Sequence, residues 1–133
     1  MRGFVVAAAL LFAAPAAAQP RDAGADYPNR TVKIMVSAPP GGGPDIAARI
    51  VAEKLRQMWN QPVIVENRPG NAGNVGAEAV SLAPPDGYTI LAHQPSPLTT
   101  SLHLYDKLGF DPLAFEPIAV MTSFPNLRLV RPD

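Results

Sequence analysis

Val32-Lys33-Ile34-Met35-Val36-Ser37-Ala38-Pro39-Pro40-Gly41-Gly42-Gly43-Pro44-Asp45 passes from an apolar run through a Gly/Pro loop into an amphipathic segment, Ile46 to Trp59. The order is strand, loop, helix. Pro44 suits the first helical position, because its missing N–H would lack a partner there and its fixed φ is already helical. The three glycines before it permit a sharp turn and leave backbone amides unshielded by side chains. Those amides and the positive end of the helix dipole face one point, a small anion site suited to a carboxylate or a phosphate. Taken alone, a loop of this kind is more often a tight turn, since glycines serve turns before they serve ligands.

The alternation continues outward from this stretch. Val32 to Val36 reads as a buried strand. In the next segment Ile46, Ala47, Ile50, Val51, Leu55 and Met58 recur at helical spacing, with Arg49, Glu53, Arg56 and Gln57 opposite. Arg49 and Glu53 are spaced to pair. Pro62 to Glu66 is a second strand, Asn67 to Asn74 a loop, and Val75 to Ala83 a short Ala-rich helix stopped by Pro84-Pro85. After an Asp86-Gly87 turn, Tyr88 to Ala92 is a third strand. Such repeats predict an α/β fold with a parallel βαβαβ sheet, right-handed crossovers and a helix on each face. Ligands in these sheets lie beyond the carboxyl ends of the strands, here the loops Ser37 to Asp45, Asn67 to Asn74 and His93 to Pro97. Beyond Thr99 the pattern loosens. Leu104 to Phe115 reads as a turn-rich connection, and Ile118 to Met121 and Leu127 to Val130 as short strands.

The first residues are an address. Arg2 precedes an apolar core, Phe4 to Ala14, and Ala16-Ala17-Ala18 fits signal peptidase, which predicts cleavage after Ala18 and export to the periplasm. The core is short of the ~20 residues a membrane helix needs. Gln19 to Asp26 is a small, polar, flexible leader. The chain holds no cysteine, which excludes disulfides, lipid anchoring through a thiol and cysteine metal sites. Eleven basic and eleven acidic residues balance, and they alternate along the chain without a basic run. Nucleic-acid binding and a polybasic membrane contact are therefore disfavoured.

Several candidate chemistries fail on spacing. Gly70, Gly73 and Gly76 lie three apart and do not make a dinucleotide fingerprint, and no Gly-Lys-Ser/Thr follows either glycine loop. The two histidines, His93 and His103, have no carboxylate or thiolate at a metal-ligand interval. Ser37, Ser96 and Ser101 lack a nucleophile-elbow context. No cofactor, metal or catalytic residue is expected. Asp45 reads either as a first-turn carboxylate that favours the helix dipole or as the group that orders the loop amides for the ligand. Asn71 and Asn74 read either as caps of the second helix or as amides turned to a ligand. Glu66 and Asp86 have no evident partner and read as solvated, Trp59 as core or rim, and Tyr27 and Tyr88 as packing residues that open strands.

The motifs join into one series: Tyr27-Pro28, Pro39-Pro40-Gly41-Gly42-Gly43-Pro44-Asp45, Ala48-Arg49, Gln61 to Gly70 with Glu66-Asn67-Arg68-Pro69-Gly70, Gly73-Asn74-Val75-Gly76-Ala77, Pro85-Asp86-Gly87-Tyr88-Thr89, Leu104 to Leu108, Phe110-Asp111-Pro112 and Pro125-Asn126. The series closely resembles the substrate-binding proteins of tripartite tricarboxylate transporters, the Bug receptor family, from Tyr27 to Asp133. The resemblance implies a type II periplasmic binding-protein fold whose two α/β lobes close on an organic carboxylate. It also implies a monomeric receptor that delivers to one large and one small membrane permease subunit. By position, the family's first carboxylate loop falls on Ala38 to Asp45, including Pro40, Gly41, Gly42 and Gly43. The second falls on Asn71, Ala72, Gly73 and Asn74, and the third on Gln94 to Ser96. Arg49 and Arg68 are not assigned to the ligand. Di- and tricarboxylates, acidic amino acids and aromatic acids all fit the resemblance. A periplasmic sensor feeding a signalling system is an alternative, and an enzyme using the same anion site a weaker one. Family members are about twice this length or more, consistent with two domains of ordinary size. The resemblance thus makes residues 27–133 the amino-terminal part of lobe 1, ending near the crossover to a missing second lobe. A fragment or truncated reading frame of this kind is expected to bind weakly without closure and to expose apolar sheet edges that lower its solubility.

Overall fold

The computed structural model describes residues 27–123. The segments expected to serve as export signal and leader, residues 1–26, and the strand expected at Leu127 to Val130 lie outside the described residues. Strands β1 (Val32–Val36), β2 (Val63–Asn67) and β3 (Thr89–Ala92) form a parallel sheet in the order β2-β1-β3. Val36 at the end of β1 lies level with Asn67 on one side and Ala92 on the other. All three strands therefore stop at one edge, and the loops that follow emerge side by side. Helix α1 (Gly43–Trp59) leads from β1 to β2, and α2 (Asn74–Ser81) returns past β1 to β3. Right-handed crossovers running in opposite directions put their helices on opposite faces. Helix α1 packs on β1 and β2, and α2 on β3 and β1.

Strand alternation divides the core. Val32, Ile34 and Val36 turn to α1 and pack with Ala48, Ala52, Val63 and Ala92, bordered by Leu55, Trp59, Val65 and Ile90. Met35 is also buried, as a strand between two helical layers requires. The expected apolar face of α1 is corrected here. Ile46, Ile50 and Met58 are exposed, and the helix rests on Ala48 and Ala52. Those small side chains let the helix come close to the strands, while the larger aliphatics sit on its outer side and flank. Arg49 pairs with Asp45 one turn earlier and not with Glu53, which instead takes Arg56 and Gln57. The helix begins at Gly43, so Pro44 is its second residue, and Asn60 in the left-handed conformation closes it.

At the opposite edge of the sheet, the ring of Tyr27 stands edge-on to Tyr88 at 5.0 Å and to Trp59 at 5.9 Å. Its hydroxyl donates to the Gly87 carbonyl at 2.7 Å. Tyr27 belongs to no strand, and Tyr88 directly precedes β3. Arg30 lies over the Tyr88 ring and pairs with Asp86 at 2.7 Å. Asp86 is thus a partnered turn acid, not a solvated one. Glu66 is partnered too, by Lys33 at 2.8 Å and Arg68 at 2.9 Å. Both carboxyls are held below their usual range, Glu66 chiefly by the hydrogen bonds from Lys33 and Arg68, and Asp86 chiefly by the hydrogen bond from the Tyr88 backbone amide and then by Arg30.

After β3 the chain makes a tight turn at Ser96–Leu98, helix α3 (Ser101–Leu104) and another turn at Pro112–Ala114. The strand expected at Ile118 to Met121 does not form. That segment is irregular and exposed, without a neighbouring strand among the described residues to take its backbone groups.

Helix α2 meets β1 through Gly76. A Cβ there would stand 2.8 Å from the Ser37 Cβ and 3.0 Å from the Arg68 carbonyl oxygen. Gly76→Ala is expected to cost about 1–3 kcal/mol by overpacking, seen as a lower urea midpoint with an unchanged slope.

Candidate functional site

Backbone bonds stitch the three carboxyl-end loops together. The Ser37 N–H donates to the Ala92 carbonyl at 3.1 Å, and the Arg68 N–H to the Val36 carbonyl at 2.8 Å. Between the loops lies an open cavity of about 350 Å³. The first loop lines it with Ser37, Ala38 and Pro39, and the second with Pro69, Gly70, Ala72 and Gly73. The third adds Gln94 and Ser96. Among the described residues no charged side chain lines it. The N–H groups of Ala38 and Ala72 find no acceptor among the described residues. With the side chains of Ser37, Gln94 and Ser96, they form a neutral, donor-capable wall.

The second loop takes an uncommon path. Asn71, Ala72 and Gly73 follow one another at φ 47°, 54° and 96°. Left-handed backbone is costly for a residue with a Cβ, and strain of this kind collects at functional sites. Gly73 is the point where the loops converge. A Cβ on it would lie 2.8 Å from the Pro97 Cγ and 3.1 Å from the Ser37 Oγ. Only a bare Cα fits between the first loop and the third.

Asp45 stands behind the first loop, 3% exposed. Its Oδ2 accepts from the Gly41 N–H at 2.8 Å and the Arg49 Nε at 3.1 Å, and its Oδ1 accepts from the Asn67 Nδ2 at 2.9 Å. The Arg49 hydrogen bond, followed by those from Gly41 and Asn67, lowers its pKa to about 2. Asn67 Nδ2 also donates to the Ala38 carbonyl at 3.1 Å, and its Oδ1 accepts from Arg49 at 3.1 Å. Asp45 sits in the first turn of α1, as the first of its two sequence readings has it, and it also holds the Gly41 N–H of the loop.

The expected site residues divide. Ala38, Ala72, Gly73, Gln94 and Ser96 meet at the cavity. Pro40, Gly41, Gly42 and Gly43 carry the loop away to α1 and do not line it; Gly41 gives its amide to Asp45. Asn71 is exposed beside the cavity. Asn74 is buried, accepts from the Ser101 hydroxyl at 2.8 Å, and keeps its Nδ2 without a partner among the described residues. Neither asparagine caps α2, whose N-cap is Gly73. Ser37, Pro39, Pro69 and Gly70 line the cavity as well; the sequence places them in the candidate ligand loops without singling any of them out. Asn67 opens the second of those loops, and its place at the end of β2, level with Val36, becomes evident only once the strands are in register.

The profile of the tripartite tricarboxylate transporter family receptor matches residues 47–133. The chain belongs to this family, which is one of receptors and not of enzymes. A structure of an R. palustris protein with adipate is 35% identical with a TM-score of 0.63, covering 66% of this chain and 29% of that one. MatC from Rhodopseudomonas palustris with bound malate is 31% identical with a TM-score of 0.60, over 65% and 29%. The periplasmic binding protein BugD is 37% identical with a TM-score of 0.58, over 65% and 28%. The chain spans about a third of the length of the curated relatives it matches.

Proposed function

We propose that this chain supplies the first half of a carboxylate site in a periplasmic solute receptor. Residues 1–18 direct its export, residues 27–133 form the amino-terminal part of its first lobe, and the receptor serves the large and small permease subunits of a tripartite tricarboxylate-type transporter. One observation carries the ligand class: a cavity at the carboxyl edge of a parallel sheet whose lining offers amide and hydroxyl donors and no acid. Neutral donors of this kind hold a carboxylate through hydrogen bonds, directly or through ordered water, without an ion pair. The diacids held by two similar proteins supply the first probes.

The test is calorimetric titration of the polypeptide, as its gene encodes it, with malate, adipate, citrate and glutamate. Saturable binding of at least one is expected, with residues 19–133 alone binding it more weakly because closure around the ligand adds contacts. Heats no larger than dilution for all four acids would overturn the carboxylate reading. Equal affinity in the short and full forms would overturn the half-site.

A further inference from the structure

We propose that Asn67 is a positioning residue for the cavity: it holds the Ala38 carbonyl so that the first loop presents donors, and not that acceptor, to an anionic ligand. The inference rests on the carboxylate reading above. Ala38 is the first-loop residue with an unclaimed N–H at the cavity, and its carbonyl is the nearest group of opposite polarity on the same residue. That carbonyl belongs to the Ala38–Pro39 peptide, which carries no N–H, so a rotation of it toward the cavity would bring only an acceptor to the ligand and would repel a carboxylate.

The Asn67 amide prevents that from the far side of the loop. Its Nδ2 donates to the Ala38 carbonyl at 3.1 Å and to Asp45 Oδ1 at 2.9 Å. Its own oxygen is taken by Arg49 at 3.1 Å, which fixes the amide in that orientation. Asp45 in turn holds the Gly41 N–H at 2.8 Å, so both ends of the turn from Ala38 to Gly41 are tied to one cluster around the buried Asp45 carboxylate. Each tie comes from a rigid element: Asn67 ends β2, and Asp45 and Arg49 lie in the first turns of α1. A side chain with the same shape but no donor would leave the loop packed and the carbonyl unheld.

Asn67→Leu removes the donors while keeping the branching of the side chain, and Asn67→Asp removes them while keeping an acceptor for Arg49. Both variants of the full polypeptide are compared with wild type by two readouts. The first is affinity for adipate and for its uncharged diamide, adipamide. The expected result for Asn67→Leu is a roughly tenfold loss for adipate, the size of one charge-assisted hydrogen bond, with adipamide affected much less. The second is amide exchange at Gly41, expected to quicken by a roughly similar factor in both variants as the cluster loosens. Equal losses for adipate and adipamide would overturn the role in anion selection. Unchanged Gly41 exchange in whichever variant folds would overturn the clamp. Wild type binding none of the four acids named above would sink the carboxylate reading, and Gly41 exchange would still decide whether Asn67 holds the loop.

Discussion

Gly73→Ala should destabilise the protein by roughly 2–5 kcal/mol, combining left-handed strain with overpacking. That is a large part of the 5–15 kcal/mol typical of a domain. The residue sits at φ 96° with Pro97 and Ser37 against the position a Cβ would take. Neither neighbour can give way easily. Pro97 is fully buried in its turn, and Ser37 is bonded through its N–H to the end of β3. Gly41→Ala is the control. It has a similar left-handed φ of 82° and nothing within 4 Å of a built Cβ, so it should cost only ~1–2 kcal/mol of backbone strain. The difference between the two urea midpoints isolates the close approach of the loops. Midpoints that move by the same amount would show that Gly73 is required for its φ alone.

Asp45→Asn should strip the first loop of its anchor and remove a defined part of the acid sensitivity of folding. The carboxylate takes four donor contacts from three residues, Gly41, Arg49 and Asn67, and an amide oxygen can replace only part of them. The pH dependence has a fixed sign. The folded pKa is lowered from 3.8 to about 2, so the stabilisation is present above the unfolded value and is lost as pH falls through about 2. Wild-type stability should therefore fall between pH 4 and pH 2 with one proton's worth of linkage from this site. The Asn variant should be less stable at pH 7 and should lack that share of the slope. Urea unfolding at several pH values measures both. An identical acid limb in the two proteins would show that Asp45 is not the group that is protonated there.

Much of this arrangement was legible in the chain. Strand ends could be read because Val32 to Val36, Val63 to Val65 and Thr89 to Ala92 are short, β-rich and bounded by Pro, Gly or Asn. From their order the parallel sheet and the three-loop edge follow. What could not be read is which flank of α1 faces inward. Counting apolar residues favoured Ile46, Ile50 and Met58, whereas packing distance favoured Ala48 and Ala52, and a sequence does not state how close a helix approaches its sheet. Partners remote in sequence were also hidden. Lys33 and Glu66 become neighbours only through strand register, and Asn67 reaches Ala38 across 29 positions. The glycine loop drew attention to Gly41 to Gly43 as ligand groups. In the structure they mainly deliver the chain to α1, while the donors at the cavity come from residues whose side chains are unremarkable alanines and serines.

The aromatic cluster also decides how this protein can be watched. Trp59 is the sole tryptophan, and it contacts Tyr27, which in turn contacts Tyr88, at the amino-terminal edge of the sheet. The cavity is at the carboxyl edge. Intrinsic emission therefore reports whether this α/β layer is assembled, with the two tyrosines close enough to pass excitation to the indole, and is nearly blind to what occupies the cavity. A melt followed optically and a titration followed by heat would read two ends of the same sheet, and a probe dye placed on the third loop would be needed to see both in one cuvette.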